Sequence, residues 1–343
     1  MAGLFDPLTL RSLTLKNRIV LSPMCQYQAG DDGQANSFHL VHYGARALGQ
    51  AGLLLMEATA VEKRGRISAH DLGLWEDSQV EPLRRVVEFV HQQGAAIGVQ
   101  LAHAGRKAEC GMTPVAPSAI PFSPDSPTPQ ALAAEEIPQI VAAFQAAARR
   151  AVAAGCDTVE IHAAHGYLLH QFLSPLSNHR ADAYGGSLAN RCRLHLEVVD
   201  AIRRAIPDTM PLFMRVSASE YSPAGYSLEE VIELARLAQQ HGVDVVDVSS
   251  GGNLPTGPRS WPGYQVPFAA AIREQARVKV MAVGRLEAPD LAEAVLQSGK
   301  ADLVAIGRGF LRGPHWALTA ALQLGTVPPV PEPYRRGYPV HPA

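Results

Sequence analysis

The chain has 343 residues, 47% of them apolar and 18% charged, with a formal net charge of −2. Such a composition describes a globular protein with a large core, and the near-zero charge argues against nucleic acid or another polyanion as its main partner. No apolar run reaches the ~18 residues of a membrane span, and no basic segment leads into an apolar one at the N-terminus, so neither a membrane anchor nor a secretory signal is expected.

In chain order, short apolar runs alternate with helical patterns. The runs are 18–22, 53–57, 96–101, 158–162, 211–217, 243–249, 278–284 and 303–308. Between them, helical spacing covers stretches such as 79–93, 137–154, 190–205 and 228–241. Ser78 with Glu81 and Ser227 with Glu230 have the spacing of capping boxes, while Gly94, Gly155 and Gly242 fall where a left-handed helix cap is commonly needed. The Pro/Ser-rich run 113–129 reads as a long surface loop. Strands apolar nearly throughout belong in a parallel sheet buried on both faces. Eight such β-α units predict an α/β fold, a (β/α)8 TIM barrel, as one domain over 1–343. A doubly wound sheet is the alternative, but no Gly-x-Gly-x-x-Gly supports a dinucleotide-binding half. Cys25, Cys110, Cys156 and Cys192 are scattered, without a Cys-x-x-Cys, and read as reduced thiols of a cytoplasmic protein.

Barrel enzymes place their chemistry at the C-terminal ends of strands. Those ends carry Pro23, Met24, Cys25 and Tyr27; Glu57 and Ala58; Gln100 with His103; His162, His165 and Tyr167; Arg215; Ser249 and Ser250; Gly284 and Arg285; and Gly307, Arg308 and Gly309. Glycine beside arginine after the last two strands matches the usual phosphate site of this fold and suits a phosphorylated cofactor. His162 and His165 can aim two N–H donors at one point, with a phenol nearby, which suits an oxygen gaining negative charge. A metal is the alternative use of such a pair. A metallohydrolase would add ligands from other strand ends, where this chain has Arg215 and Ser249, so no metal is expected. From the residues alone, Arg215 also fits a structural ion pair, Cys25 a small core hydrophobe, and Tyr27 a core tyrosine.

With these residues stand longer motifs: Leu15-Lys-Asn-Arg-Ile, Ser22-Pro-Met-Cys-Gln-Tyr27, Gln100-Leu-Ala-His-Ala-Gly-Arg-Lys107, Ala116-Pro-Ser-Ala, the block from Glu160 to Arg191, Met214-Arg-Val-Ser, Asp247-Val-Ser-Ser, Pro262-Gly-Tyr-Gln-Val, Ala282-Val-Gly and Ala305-Ile-Gly-Arg308. Over nearly its whole length the chain resembles the old yellow enzymes, flavin-dependent ene-reductases, in their bacterial thermophilic-like subclass. The resemblance implies a barrel with FMN at its mouth, touched by Ser22, Pro23, Met24, Cys25, Ala58, Gln100, Arg215, Ser249, Gly284, Gly307 and Arg308. Arg215 and Gln100 would lie by the pyrimidine edge, with Gly284, Gly307 and Arg308 on the phosphate. NADPH or NADH would reduce the flavin, and the activated C=C bond of enones, enals, maleimides or nitro compounds would take up the hydride. His162 and His165 would hold the substrate carbonyl, Tyr167 would donate the proton, and Tyr27 would touch the substrate.

The subclass also implies that Cys25 lies against the flavin and tunes its potential. Its arrangement is a homodimer or homotetramer in which the tail, about 325–343, carries Arg336 into a neighbouring site. Tyr338 stands where tryptophan is more usual, and a solvated basic tail is the alternative. Lys107 is expected either near the site or in solvent, and the short loop after it leaves the pocket open. His103, His170, His179 and His195 are read as structural or solvated. The cysteine cluster and extra nucleotide-binding region of dienoyl-CoA reductases and amine dehydrogenases have no counterpart here. A non-catalytic flavin or ligand binder is the alternative from another class.

Overall fold

Eight apolar segments fold as β1 (Ile19–Leu21), β2 (Leu53–Ala60), β3 (Ala96–Ala102), β4 (Thr158–Ala163), β5 (Leu212–Ser217), β6 (Val245–Ser249), β7 (Lys279–Ala282) and β8 (Leu303–Ile306). In the computed structural model, which describes residues 2–327 and 330–338, they pair in parallel and close in the order β6-β7-β8-β1-β2-β3-β4-β5. The expected (β/α)8 barrel is the observed fold. Helices pack against one face of each strand and side chains fill the other, so there is no solvent face to enforce alternation.

The crossovers are α1 (Ser37–Leu48), α2 (Val80–Gln92), α3 (Ile137–Ala153), α4 (Leu168–Leu173), α5 (Leu188–Arg203), α6 (Leu228–Gln240), α7 (Val266–Ala276) and α8 (Pro289–Gln297), followed by α9 (Arg308–Arg312) and α10 (Trp316–Gln323). The capping box of Ser227 and Glu230 forms as read. The one expected at Ser78 and Glu81 does not. Ser78 lies inside a 3-10 turn, Asp77–Gln79, and its hydroxyl donates to Glu76 at 2.7 Å while Glu76 and Gln79 cap the turn reciprocally. A cap residue needs extended backbone, which Glu76 has and a residue within a helical turn does not. Gly94, Gly155 and Gly242 have φ of 71°, 91° and 108°, the left-handed caps expected.

The core has two compartments. Between barrel and helices, Val99, Ile161, Phe144 and Val198 belong to one continuous cluster. Inside the barrel, Val20, Leu53, Leu55, Phe213, Val245, Met281 and Leu303 form a second, closed from below by Leu10 and Leu15 of a hairpin, Leu8–Leu10 with Leu13–Leu15. This plug closes the barrel interior at that end, so the interior faces outward at the opposite end, where the strands terminate. Over 113–129 the chain is mainly irregular, as read, with one short pairing of Val115–Ala116 to Gln130–Ala131. Among the described residues no helix is long and apolar enough to cross a membrane.

Candidate active site

After β4 the chain turns sharply through His165 and Gly166, at φ of 60° and 74°. Glycine is required there by a close approach: a Cβ on Gly166 would sit 2.2 Å from the Gly252 carbonyl, and one on Gly252 2.5 Å from the His165 Cα. His165 has no such freedom, so its backbone is strained and must be held by its surroundings. Its N–H donates to Ser217 Oγ at 2.9 Å, and Lys107 Nζ donates to its carbonyl at 2.9 Å and to that of Gly252 at 3.1 Å. Lys107 therefore staples this corner from inside the site, its ammonium 4.9 Å from the centre of the Tyr167 ring. Burial lowers its pKa to about 8.

The corner brings the three predicted side chains together. The imidazoles of His162 and His165 lie 5.2 Å apart, edge to face, and the Tyr167 ring is 4.9 Å from His162. Burial, with the charge of Arg215 next, drives both histidines well below their usual pKa, so both rings are neutral. His162 Nδ1 accepts the Ala164 N–H at 3.3 Å, which leaves the proton on Nε2 as a free donor. His165 Nε2 meets Ser249 Oγ at 2.7 Å, a hydroxyl that also reaches Gln265 Oε1 at 3.4 Å, and Nδ1 has no partner among the described residues. Burial also raises the Tyr167 phenol far above its ordinary pKa, keeping it protonated.

His170, read as structural or solvated, is structural. Its Nδ1 accepts the Gly166 N–H at 3.1 Å, and Nε2 faces Glu220 Oε1 at 3.2 Å and Tyr226 Oη at 2.9 Å. Glu220 also accepts from Ser174 Oγ at 2.8 Å and Asn253 Nδ2 at 2.7 Å. This buried network ties the His165 corner to the loop beyond β6. His195 is likewise buried, and His103 bridges to Glu62 at 3.2 Å.

A second loop, Pro23–Tyr27, crosses the mouth from β1. Tyr27 is 45% exposed, which excludes the core alternative, and has φ of 55°. The loop is held by Glu57, a residue sequence reasoning placed at a strand end without a role. A β-bulge between β2 and β3 falls at Glu57, and bulges re-aim side chains. Glu57 Oε2 accepts the Gln26 N–H at 2.7 Å and Oε1 the Tyr43 hydroxyl at 3.2 Å, with His39 Nε2 at 3.6 Å. Burial lifts this carboxyl to about 7. Burial, with the charges of Asp71 and Glu57 next, pushes Cys25 up to about 12, so it is a thiol and not a nucleophile.

Across the mouth, a cavity of about 180 Å³ is lined by Arg215, Ser249, Gln265, Gly284, Gly307 and Arg308. Gly284 has φ of 123°, and a Cβ on Gly307 would press on Met24 Sδ at 3.2 Å. Bare backbone and three arginines, Arg215, Arg285 and Arg308, in one recess fit a phosphorylated ligand. Gln265 is the lining residue that sequence reasoning missed; it bonds Ser250 Oγ at 2.5 Å and the Val283 carbonyl at 3.0 Å. Ser22 closes the β1 end against Ile306, its N–H 3.1 Å from that carbonyl, with Pro23 following it. Ala58 pairs with Gln100 across β2 and β3, and Gln100 donates to Glu160 at 2.7 Å. Arg336 is exposed on a 3-10 turn, Glu332–Gly337, and its side chain makes no hydrogen bond or ion pair among the described residues. A larger cleft of about 680 Å³ lies at the other end of the barrel, but its Arg11 and Arg273 are paired with Asp244 and Asp302. Among the described residues no cluster of His, Cys, Asp and Glu could hold a metal.

A parallel barrel with a phosphate recess beside neutral donors defines a cofactor-dependent barrel oxidoreductase, and the residues present fit FMN. Residues 3–326 match the NADH:flavin oxidoreductase / NADH oxidase family. The chain belongs to that family, that of the old yellow enzymes, and is an FMN-dependent NADPH dehydrogenase of this type. It is 51% identical over 336 residues to an NADPH dehydrogenase of Geobacillus thermodenitrificans, covering 98% of both chains. Morphinone reductase in complex with tetrahydroNAD superposes with a TM-score of 0.80 at 32% identity, covering 100% of this chain and 98% of that one. The old yellow enzyme homologue of Zymomonas mobilis does so at 0.79 and 29%, covering 91% and 90%.

Proposed function

We propose that the protein reduces the activated C=C bond of α,β-unsaturated carbonyl compounds, with NADPH or NADH as reductant. FMN, when bound, supplies the hydride that reaches the β-carbon. His162 Nε2 and His165 Nδ1 hold the substrate carbonyl; because both rings are neutral donors, their hydrogen bonds gain most as enolate charge develops. Tyr167, protonated throughout the working pH range, gives its proton to the α-carbon. Tyr27 contacts the substrate and Cys25, as a thiol, lies against the flavin ring. Gly284, Gly307 and Arg308 hold the phosphate, and Arg215 and Gln100 lie at the pyrimidine edge. Ser22, Pro23, Met24, Ala58 and Ser249 complete the cofactor contacts. Arg336 enters the site of a neighbouring copy, in a cytoplasmic homodimer or homotetramer.

The observation that carries this reading is the pair of neutral imidazoles with one unpartnered nitrogen each, beside a protonated phenol. The test is anaerobic reduction of the holoprotein with NADPH, followed by mixing with cyclohexenone. Rapid flavin reoxidation is expected, and reoxidation no faster than without enone would refute the reading.

A further inference from the structure

Above its apolar floor the barrel interior changes character within one pleat. Two residues beyond Phe213 and Val245 on their strands come Arg215 and Asp247, which are register partners. Glu160 lies two residues below His162 on β4, opposite Phe213, and Gln100 is its partner on β3. All four side chains are buried. Glu160 Oε1 accepts from Gln100, but Oε2 has no partner, and neither Asp247 oxygen has a donor aligned with it. Arg215 Nε is 3.0 Å from Asp247 Oδ2, close enough for charge pairing yet off-line for a hydrogen bond. Arg215 is the only cation among these four.

Two ionised carboxylates against one guanidinium would leave a net charge in a dry interior, a state strongly unfavourable to folding. A carboxyl in that position keeps its proton instead. Burial, then the charge of Asp247, raises Glu160 well above the ordinary range; Asp247 is raised as well, with Arg215 opposing. The other titratable or charged groups near Arg215 are His162 and His165, both neutral, the phenol of Tyr264, Arg285, Arg308 and Glu287 in the same recess, and Lys107 further out.

We propose that Glu160 and Asp247 form a proton reservoir beneath the cofactor. Glu160 holds one proton in the resting protein, and Asp247 takes up a second when negative charge is placed over Arg215. This rests on the reading that Arg215 lies at the pyrimidine edge. Two electrons and one proton convert the flavin to its anionic reduced form. Arg215 then serves two anions, and the Asp247 carboxylate binds a proton from solvent to become a neutral acid. Reduction therefore consumes two protons per two electrons, and reoxidation by substrate returns the Asp247 proton to solvent. Both carboxyls are positioning residues that act through Arg215.

The test has two arms. In the holoprotein, the flavin midpoint potential is followed by spectroelectrochemistry between about pH 6 and pH 8. The wild type is expected to show the slope of two protons per two electrons, and Asp247→Asn that of one. In the apoprotein, infrared spectroscopy is expected to show the C=O stretch of a protonated buried carboxyl that disappears in Glu160→Gln. A one-proton slope in the wild type overturns the proposal, as does a two-proton slope retained in Asp247→Asn or the absence of the carboxyl band. If Asp247→Asn does not fold, the wild-type slope and the infrared band still decide. Enone turnover with a one-proton slope sinks the reservoir alone; the two-proton slope without enone turnover sinks the ene-reductase reading alone.

Discussion

Glu57 offers the sharpest test of how the mouth is assembled, through the substitution Glu57→Gln. The carboxyl is 1% exposed, and burial carries its pKa from 4.5 to about 7. At 1.36 kcal/mol per unit, ionising it in the folded protein costs about 3 kcal/mol more than in the unfolded chain. The sign follows from proton counts. Between pH 4.5 and about 7 the folded state holds a proton that the unfolded state has lost, so Glu57 erodes stability as pH rises through that window, fully above it. Glutamine does not titrate, and its carbonyl can still accept the Gln26 N–H. The difference in unfolding free energy, variant minus wild type, should therefore climb by about 3 kcal/mol from about pH 4.5 to pH 8. Urea unfolding of the apoprotein at a series of pH values measures it, with an unchanged m-value showing that only the native state is affected. Parallel stability curves would refute the reasoning, because they would mean Glu57 is already ionised at acid pH.

Replacing His162 or His165 by alanine should slow enone-driven flavin reoxidation by about 10²–10³, the usual loss of one oxyanion donor, while NADPH dehydrogenation of the unsubstituted pocket sets the reference. Gly166→Ala should cost more than about 2 kcal/mol and lower the melting temperature, because the new methyl meets a backbone carbonyl at a positive φ. Glu220→Leu strands the donors of Ser174, Asn253 and His170, and should destabilise the apoprotein by about 3 kcal/mol, read by urea unfolding. Lys107 loses its charge above about pH 8, so reoxidation by enone should fall there as the corner loosens, and Lys107→Met should remove that limb of the pH profile.

The barrel and most of its mouth were legible because their causes are local. Apolar runs buried on both faces, glycines at three helix ends and glycine-arginine pairs after the last strands are visible in a linear text. The Ser78 box failed because its two letters match a pattern whose backbone condition is met two residues earlier, at Glu76. The hairpin plug was not anticipated, since its two Leu-Thr-Leu strands each bury one residue and show no apolar run. Glu57 could be placed at a strand end but not given a task, because its partners come from α1 and the Gln26 amide, set by a bulge that no spacing encodes. The signal that could have found Glu160 and Asp247 was present: single acids inside strands otherwise apolar. What could not be read was that both face the same guanidinium.

That shared guanidinium links the floor of the site to its mouth. Protonated imidazoles would attract any anion and bind a ground-state carboxylate as readily as an enone. Neutral imidazoles have only N–H dipoles, weak towards a carbonyl and stronger towards the enolate that succeeds it. The same burial that denies His162 and His165 their charge denies it to Glu160, so cations predominate around the site: Arg215, Arg285 and Arg308 in the recess, with Glu287, and Lys107 at the His165 corner. Negative charge arriving at the mouth then meets an Arg215 opposed by one carboxylate, that of Asp247, and not by two. A substitution that restores a second anion beneath Arg215 would blunt that response without touching substrate. On this reading, the orphaned oxygens of Glu160 and Asp247 are part of how the site favours its charged states, not flaws in packing.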